Sequence, residues 1–384
     1  MRNLQQRPPA RSRTGFDGGP VRFGCAGRPD RRDDYGHGPW LRVGLTVVMT
    51  SRSFDRYAIR VVEAAYRIER GLDEWLAEVL RAATKLLDGD KGYGAYIYRV
   101  EKDGHIRITS SPHHPGFSTG DTKEGLDYAR RTPPALVRPM FVFDPPVVNF
   151  HSLWSQMPHE HFPDYQPFDS MARSDIRDCV VVRGCDPTGE GVFISAMTSR
   201  PWPVQEAAVE RWRLLRAHIL AGLRLHRNLV EEAVLDRHGK VVHAEGEARE
   251  TRALDALRER ARHIDRARSA EGRRDPEAAL RVWQGLVNGR WSLVDKFDSD
   301  GRRYLIARRN EPGEGVAALR PLSRRERQIL AYAALGYANK HIAYTLGLAP
   351  STVSSHLRSA MRRVGASTRA ALADLWAPAV QDER

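Results

Sequence analysis

The stretch Leu322–Ala366 reads LSRRERQILAYAALGYANKHIAYTLGLAPSTVSSHLRSAMRRVGA, and its pattern decides the fold of the last part of the chain. Ser323 has the side chain of a helix N-cap, and Glu326 follows three positions later, which is the spacing of a capping box. Apolar residues then recur at helical intervals. We therefore predict a first helix that begins at Ser323 and stops near Gly336.

Two further helices are predicted after this one. The second is short and ends at Gly347, which can adopt the left-handed backbone that a sharp turn requires. Ser351 or Thr352 is expected to cap the third. The apolar residues of the third helix recur at i, i+4, i+7 and i+11, so they share one narrow stripe that faces the other helices. These residues are Val353, Leu357, Ala360 and Val364.

The opposite face of the third helix is polar throughout. Small hydroxyl side chains let a helix lie deep in the major groove of DNA, and arginine can pair with guanine or neutralise phosphate. Any surface helix can have a charged face, but the helix and turn that precede this one favour a recognition helix. The outward residues are Ser354, Ser355, Arg358, Ser359, Arg362 and Arg363.

The runs LSRRE, NKHIAYTL and TVSSHL, with Gly365-Ala366 before a fourth helix, resemble the LuxR-type (GerE-like) DNA-binding domain of bacterial transcription regulators. The resemblance covers Leu322–Trp376 and implies that this region binds double-stranded DNA. Ser354 stands where the family often has lysine, which leaves the preference at the corresponding base open. The residues expected to contact DNA are Asn339, Lys340, Ser351, Thr352, Ser354, Ser355, Arg358, Arg362 and Arg363.

The same resemblance implies a homodimer on an inverted-repeat operator. In that family the fourth helix is the dimer contact, and here Ala370, Ala371 and Leu375 would supply it. In the competing view, Leu375 and Trp376 pack inward against the first helix of their own domain. RNA polymerase is a candidate partner of such a regulator.

The fourth region of a sigma factor shares several of these elements and is the alternative within DNA binding. However, His356-Leu357 stands where sigma factors usually have Arg-Leu, and a further helix follows Gly365-Ala366.

Positive charge is concentrated at the two ends of the chain. Of the formal net charge of +13, residues 1–50 contribute +5 and residues 320–384 contribute +6, which leaves +2 for the 269 residues between them. Because phosphate neutralisation supplies most non-specific affinity for DNA, a basic end on a nearly neutral body favours contact with nucleic acid through one end.

Cysteine usage and hydropathy indicate the compartment. Three cysteines, Cys25, Cys179 and Cys185, cannot form a disulfide framework, and their spacing is not that of a zinc site. The longest early apolar stretch, Val43–Met49, is too short to span a membrane. We expect a cytoplasmic protein with no membrane contact, no metal and no cofactor.

Residues 1–48 are rich in Arg, Gly and Pro, and they predict a disordered basic extension. Met49 is a candidate for the natural start, and a DNA-contacting arm is the alternative.

The sequence pattern of residues 49–232 predicts an α+β sensory domain. Its order of helices, antiparallel hairpins and closing helix is similar to that of a GAF domain. The predicted elements are helices over Phe54–Leu87 with a break or kink at Gly71, hairpins of Tyr93–Val100 with His105–Thr109 and of Cys179–Arg183 with Gly191–Thr198, a Pro-rich connection over Thr132–Pro167, and a long helix over Val204–Glu232.

Residues 233–309 predict a smaller α+β unit that is similar to a PAS domain, and a simple connector is an equally open interpretation. Residues 310–319 would be a linker, and residues 320–384 the all-α four-helix DNA-binding domain. The elements of the smaller unit are a strand, turn and strand over Ala233–Ala244, helices over Ala248–Ala267 and Pro276–Val287, and a hairpin of Trp291–Phe297 with Arg302–Arg308.

Three groups of residues in the amino-terminal region are candidates for a metal, redox or ligand site. His151, His159, Glu160, His161 and Asp164 have metal-ligand chemistry, but prolines interrupt the segment and a solvated loop is favoured. Cys179 and Cys185 could form a redox switch, although ordinary packing is more common. A third group could line a ligand pocket or simply anchor a loop: Trp154, Phe162, Tyr165 and Phe168.

The chain contains no nucleophile elbow, phosphate-binding loop or dinucleotide fingerprint. We therefore expect a non-enzymatic regulator controlled by a small-molecule or protein signal. The alternative is a signalling protein or enzyme whose amino-terminal domain performs the chemistry, with an accessory DNA-binding domain.

Overall fold

A computed structural model describes residues 51–111, 115–167, 175–227, 231–236, 238–275, 279, 282–283, 291–297, 303–309 and 322–373. The predicted extension over residues 1–48, the proposed start at Met49 and the linker over residues 310–319 lie outside the described residues.

The amino-terminal region is built on a five-stranded sheet. Its strands are β1 (Gly92–Val100), β2 (Ile106–Ser110), β3 (Val147–Asn149), β4 (Asp178–Cys185) and β5 (Glu190–Thr198). They are antiparallel in the order β2-β1-β5-β4-β3, so both predicted hairpins are confirmed. The first hairpin turns at Asp103-Gly104: Gly104 has a φ of +86°, and the Asp103 carboxylate accepts a hydrogen bond from the backbone N–H of His105 at 3.0 Å.

Six described helices surround this sheet. They are α1 (Ser51–Ala65), α2 (Leu72–Ala83), α3 (Thr119–Arg130), α4 (Pro134–Val137), α5 (Phe150–Trp154) and α6 (Glu206–Arg227), with a π turn at Arg138–Val142 and a 3-10 turn at His159–His161. The break at Gly71 therefore separates two helices. The chain bends back there, and α1, α2 and α6 pack together on one face of the sheet.

Two predictions in this region were wrong. The segment Thr132–Pro167 is more than a connection, because it contains α4, α5 and the edge strand β3. Pro134 is the first residue of α4, a position where proline has no backbone N–H to lose and its fixed φ suits the helix. The long helix ends at Arg227 and does not reach Glu232, since Glu231 already begins a strand of the second sheet.

The second sheet has four antiparallel strands. They are β6 (Glu231–Asp236), β7 (Val241–Ala244), β8 (Trp291–Phe297) and β9 (Arg303–Arg309), in the order β7-β6-β9-β8. The helix α7 (Thr251–Arg268) packs on it, between 3-10 turns at Gly246–Arg249 and Gly272–Arg274. Both predicted strand pairs are confirmed. Of the predicted helix over Pro276–Val287, only Ala279, Val282 and Trp283 are described, and all three are helical.

The last described region is all-helical. It consists of α8 (Arg324–Ala334), α9 (Asn339–Leu346), α10 (Pro350–Arg363) and α11 (Arg369–Ala373). Antiparallel sheets with helices followed by a helical domain agree with the predicted fold class. The finer resemblance of the amino-terminal region to GAF and PAS domains stays a prediction.

Alternate residues of the five-stranded sheet face two different cores. Ala95, Ile97 and Val180 pack on the side of α1, α2 and α6, and that core continues into the second sheet. Tyr96 and Tyr98 face the other side, where the buried cluster also includes the core of the helical domain. The amino-terminal region and the helical domain therefore share buried apolar surface. Within the part of the chain described here, no helix is apolar over a membrane-spanning length.

Candidate nucleic-acid interface

The first helix of the helical domain begins as predicted. The Ser323 hydroxyl accepts a hydrogen bond from the backbone N–H of Glu326 at 3.3 Å, and the Glu326 carboxylate accepts one from the backbone N–H of Ser323 at 2.9 Å. Arg363, at the end of α10, donates to the same carboxylate at 3.0 Å. The Ser323 backbone hydrogen bond and the charge of Arg363 lower the pKa of Glu326 to about 2. One buried carboxylate thus fixes the start of α8 and the end of α10.

The turn between α9 and α10 depends on Gly347. Its φ of 66° and ψ of 40° are left-handed, as predicted, and a side chain at this position would be strained. The prediction that Ser351 or Thr352 caps the next helix was wrong. The helix α10 begins at Pro350, with Ala349 in the N-cap position. Proline is well suited to the first helical position, so the helix starts before the two hydroxyl residues.

The inward stripe of α10 is confirmed for three of its four members. Val353 and Ala360 are fully buried and Leu357 nearly so, whereas Val364 is half-buried at the end of the helix. These residues pack against α8 and α9. The packing fixes the orientation of α10 and determines which side faces outward.

The outward face of α10 carries most of the residues predicted to contact DNA. Ser351, Ser355, Arg358, Arg362 and Arg363 are exposed, and Thr352 is half-buried. A helix with small hydroxyls near its start and arginines farther along presents donors at the depth of the bases and at the phosphates. This face therefore has the geometry and chemistry of a recognition helix. The contact made by each residue stays a prediction.

Asn339 and Ser354 are already engaged within the domain. The Asn339 amide donates to the Ser354 hydroxyl at 2.8 Å, and that hydroxyl donates to the Pro350 carbonyl at 2.9 Å. Arg369 donates to the Asn339 side-chain oxygen at 3.0 Å. These bonds connect α9, α10 and α11. The two side chains hold the recognition helix in place, a function that sequence reasoning missed because Asn339 and Ser354 are 15 positions apart.

Lys340 extends from the first turn of α9 and its side chain is 60% exposed. Its Nζ lies 2.6 Å from the Glu210 carboxylate of α6, so this predicted DNA contact forms an ion pair with the amino-terminal region.

The predicted dimer helix α11 packs against α8. Leu372 is fully buried and is the residue that attaches it, although the sequence analysis did not single it out. Ala370 is exposed and Ala371 half-buried, while Leu375 lies outside the described residues. The dimer function of this helix stays a prediction.

The amino-terminal region contains a cavity of about 140 Å³ on the face of the five-stranded sheet that presents Tyr96. Of the four aromatic residues that could line a pocket or anchor a loop, Tyr165 lines this cavity. Trp154 packs beside it, with ring centroids 5.7 Å apart, and Phe162 is half-buried. Phe168 lies outside the described residues. The other aromatic residues of the wall are Tyr96, Phe117, Tyr128, Phe141, Phe150 and Phe193.

The candidate metal site and the cysteine pair are arranged neither for metal binding nor for redox chemistry in the described residues. In the described segments, no three His, Cys, Asp or Glu side chains come together in a way that could hold a metal ion. His159 accepts or donates at Nδ1 to the Met157 carbonyl at 2.9 Å and stacks on Trp154. Cys179 and Cys185 are unpaired and buried, and burial raises the pKa of both thiols. A thiol kept protonated in this way favours packing over reactivity.

Comparison with known proteins supports this view of the helical domain. Residues 320–376 match the family described as bacterial regulatory proteins, luxR family. The chain is 50% identical over 48 residues to the HTH-type transcriptional activator RamA of Corynebacterium glutamicum. This alignment covers 12% of this chain and 17% of RamA. It is 31% identical over 105 residues to the transcriptional regulatory protein UhpA of Escherichia coli K12, covering 21% of this chain and 54% of UhpA.

A likeness to solved structures extends farther along the chain but is loose. Escherichia coli SdiA aligns over 82% of this chain and 95% of its own, at 12% identity and a TM-score of 0.31. SdiA in complex with octanoyl-rac-glycerol gives the same identity and TM-score. Values this low carry no argument about the amino-terminal region. Residues 320–376, by contrast, form a helix-turn-helix domain of the LuxR family.

Proposed function

We propose that this chain is a transcriptional regulator that binds double-stranded DNA through residues 320–376 under the control of its amino-terminal region. The observation that carries the proposal is the exposed face of α10, which presents Ser355, Arg358 and Arg362 on a capped and fully packed three-helix core. The domain is a LuxR-family helix-turn-helix, and the two relatives are named as transcriptional regulators. The proposal makes the chain a non-enzymatic protein.

The proposal extends to assembly, partners and location. One recognition helix reads only a few base pairs, so a homodimer on an inverted-repeat operator would supply the specificity that regulation needs. RNA polymerase is a proposed further partner, and the cytoplasm is the proposed location because the DNA is there. The order of helices and hairpins supports a GAF-like unit over residues 49–232 and a PAS-like unit over residues 233–309.

A selection from random duplex DNA with the purified full-length chain tests the proposal. We expect enrichment of an inverted repeat whose half-sites are one helical turn apart. Footprinting on the enriched DNA should then show protection of both half-sites. A chain that enriches no sequence and also fails to bind duplex DNA at low salt would contradict it.

The cavity on the Tyr96 face of the five-stranded sheet supports a small-molecule signal as the input. Its wall is dominated by aromatic rings, with Met140, Ile176 and Val181 among the remaining residues. Two acidic residues, Asp121 and Glu124, also line the cavity, and the Asp121 carboxylate is already bound to the Ser118 backbone N–H and hydroxyl as part of a capping box. Such a wall favours a neutral, largely apolar ligand over a charged one.

Native mass spectrometry of the full-length chain and thermal melts with a panel of neutral apolar compounds test this input. We expect a stabilising compound whose effect is lost in Ser195→Trp, because Ser195 lines the cavity and a large ring there would fill it. A compound that stabilises wild type and Ser195→Trp equally would place its site elsewhere.

A further inference from the structure

The second helix of the DNA-binding domain, α9, packs on the long helix α6 of the sensory region. At this contact the Glu210 carboxylate lies 2.6 Å from the Lys340 ammonium and 3.3 Å from Nε2 of His341. Lys340 is one of the residues expected to contact DNA. The contact therefore joins a predicted DNA-binding side chain to the region that would control it.

The Glu210 carboxylate is held in position from its own side of the contact. Arg213, one turn later on α6, contacts Glu210 and donates to the Asp144 carboxylate at 2.6 and 3.0 Å. Partial burial would raise the pKa of Glu210, but the hydrogen bond from Lys340 and the charges of Arg213 and His341 outweigh it and lower the pKa to about 2. The group is therefore an anion at any physiological pH.

The surrounding contacts make this a built interface. The Arg216 guanidinium lies 3.9 Å above the ring of Tyr337, whose hydroxyl donates to the Cys185 carbonyl at 3.3 Å. Farther along α6, Nε2 of His218 is 2.9 Å from the Tyr344 hydroxyl. Tyr337 is almost fully buried between the two regions. The start of α9 is thus fixed against α6 by apolar, polar and charged contacts together.

A carboxylate and a DNA phosphate are competing acceptors for one ammonium group. An anion fixed at the start of α9 occupies Lys340 and also repels a phosphate that approaches the same end of the helix. Resting on the proposed function, we infer that Glu210 is an autoinhibitory substitute for a DNA phosphate, which holds Lys340 until α9 separates from α6. Lys340 then becomes available to the DNA backbone only in the released state.

The test is DNA affinity of full-length Glu210→Gln, measured over a range of salt concentrations on the selected operator and on unrelated duplex DNA. The neutral isostere keeps the shape of the side chain but gives up the ion pair. We expect about three- to fivefold tighter binding to both DNAs, because an exposed ion pair of this kind is worth little more than that. The salt slope should rise by about 0.9, the contribution of one additional phosphate contact.

Two further variants separate the contact from the charge. Glu206→Gln, one turn earlier on α6, removes the same charge from an exposed residue, and it should leave affinity and slope unchanged. In a Lys340→Gln background, Glu210→Gln should have a clearly smaller effect, because no ammonium remains to be released and only the repulsion between the carboxylate and the phosphate is relieved. Thermal melts of all variants check folding, and Glu210→Ala serves as a second variant if the amide does not fold.

The outcomes distinguish this inference from the proposed function. If wild type and Glu210→Gln bind the operator with equal affinity and equal slope, the inference is wrong and the proposed function stands. If Glu206→Gln and Glu210→Gln increase DNA affinity equally, the effect comes from the net charge of the protein and not from the contact with Lys340, and the inference is also wrong. If no variant binds duplex DNA at low salt, the proposed function itself fails.

Discussion

The three arginines on the outer face of α10 are not equivalent. Arg363 is bound to Glu326 at 3.0 Å, so part of its charge is used within the domain. Arg358 and Arg362 are exposed and one turn apart. Arg358 is closer to the start of the helix, where a recognition helix reaches the base edges, and Arg362 is closer to its end.

We predict different effects for these two residues. Arg358→Ala should cost roughly 1–3 kcal/mol of operator binding and relax the preference at one position of each half-site. Arg362→Ala should weaken binding to all sequences alike. Arg358→Lys is the matched control, because it keeps the charge but not the two-pronged geometry that recognises guanine. A selection with each variant measures the preference, and unchanged preference in both Arg358 variants would remove this residue as a reader of bases.

The start of α8 offers a prediction about stability. Ser323→Ala removes one half of the capping box and leaves the backbone N–H of Glu326 without its side-chain acceptor. We expect a loss of about 1 kcal/mol in the free energy of unfolding. Thermal denaturation followed by circular dichroism measures it, with Ser323→Thr as the control, because threonine keeps the hydroxyl that both accepts from the Glu326 backbone N–H and donates to the Glu326 carboxylate. A melting temperature equal to that of wild type in Ser323→Ala would show that the cap contributes nothing.

Elements with local sequence patterns were predictable, whereas elements that depend on distant partners were not. Ser323, Glu326 and Gly347 determine their helix ends through neighbours three or four positions away, and the structure confirms them. The strand β3 lies within the Pro-rich segment and exists because it pairs with β4, some 30 residues later. The helix α6 ends where Glu231 enters a sheet with β9, which no local pattern indicates.

The candidate site divides in the same way. The outward face of α10 follows from helical periodicity, so its exposed arginines could be predicted from the sequence. The engagement of Asn339 by Ser354 and Arg369, and of Lys340 by Glu210, depends on side chains from other helices. Leu372 was not identified as a core residue because the fourth helix is short and alanine-rich, which gives it no clear apolar periodicity.

The helix α11 supports a prediction about assembly. Leu372 attaches it to the domain, which leaves Ala370 exposed for contact with a second copy. Ala370→Glu should preserve folding but weaken binding to paired half-sites, because two like charges would then meet across the two-fold axis. Leu372→Glu, the contrasting variant, should unfold the domain. Thermal melts measure folding, and footprinting on DNA with one or two half-sites measures binding. Equal binding of Ala370→Glu and wild type to paired half-sites would exclude this helix from the dimer contact.

At the scale of the whole molecule, the helix-turn-helix domain and the described amino-terminal region pack against each other. Tyr332 and Tyr337 belong to the same buried cluster as Tyr98 and Phe141 of the amino-terminal region. Phe141 also lines the cavity, and the Tyr98 hydroxyl donates to its carbonyl at 2.6 Å. A ligand that moves Phe141 would therefore act on residues that pack directly against the DNA-binding domain.

The distribution of charge supports the last prediction, which concerns where DNA affinity resides. Residues 1–48 and residues 320–384 have similar net positive charges, +5 and +6, so deletion of either segment removes nearly the same charge. If affinity were a matter of net charge alone, the two deletions would weaken binding equally. Because the second segment contains the exposed face of α10, we expect its deletion to abolish binding. Deletion of residues 1–48, for which the sequence predicts only a basic extension, should leave operator affinity within about threefold.

Fluorescence anisotropy with operator and unrelated DNA at several salt concentrations measures both deletions. The full-length chain should show a steep decrease of affinity with salt on either DNA, because neutralised phosphates release counterions. The chain without residues 1–48 should keep the difference between operator and unrelated DNA, since a basic extension of the kind that the sequence predicts adds affinity through phosphates but reads no bases. If that difference disappears with residues 1–48, or if binding survives removal of residues 318–384, then recognition does not lie in the helix-turn-helix, and the basic amino-terminal segment is the DNA-contacting arm.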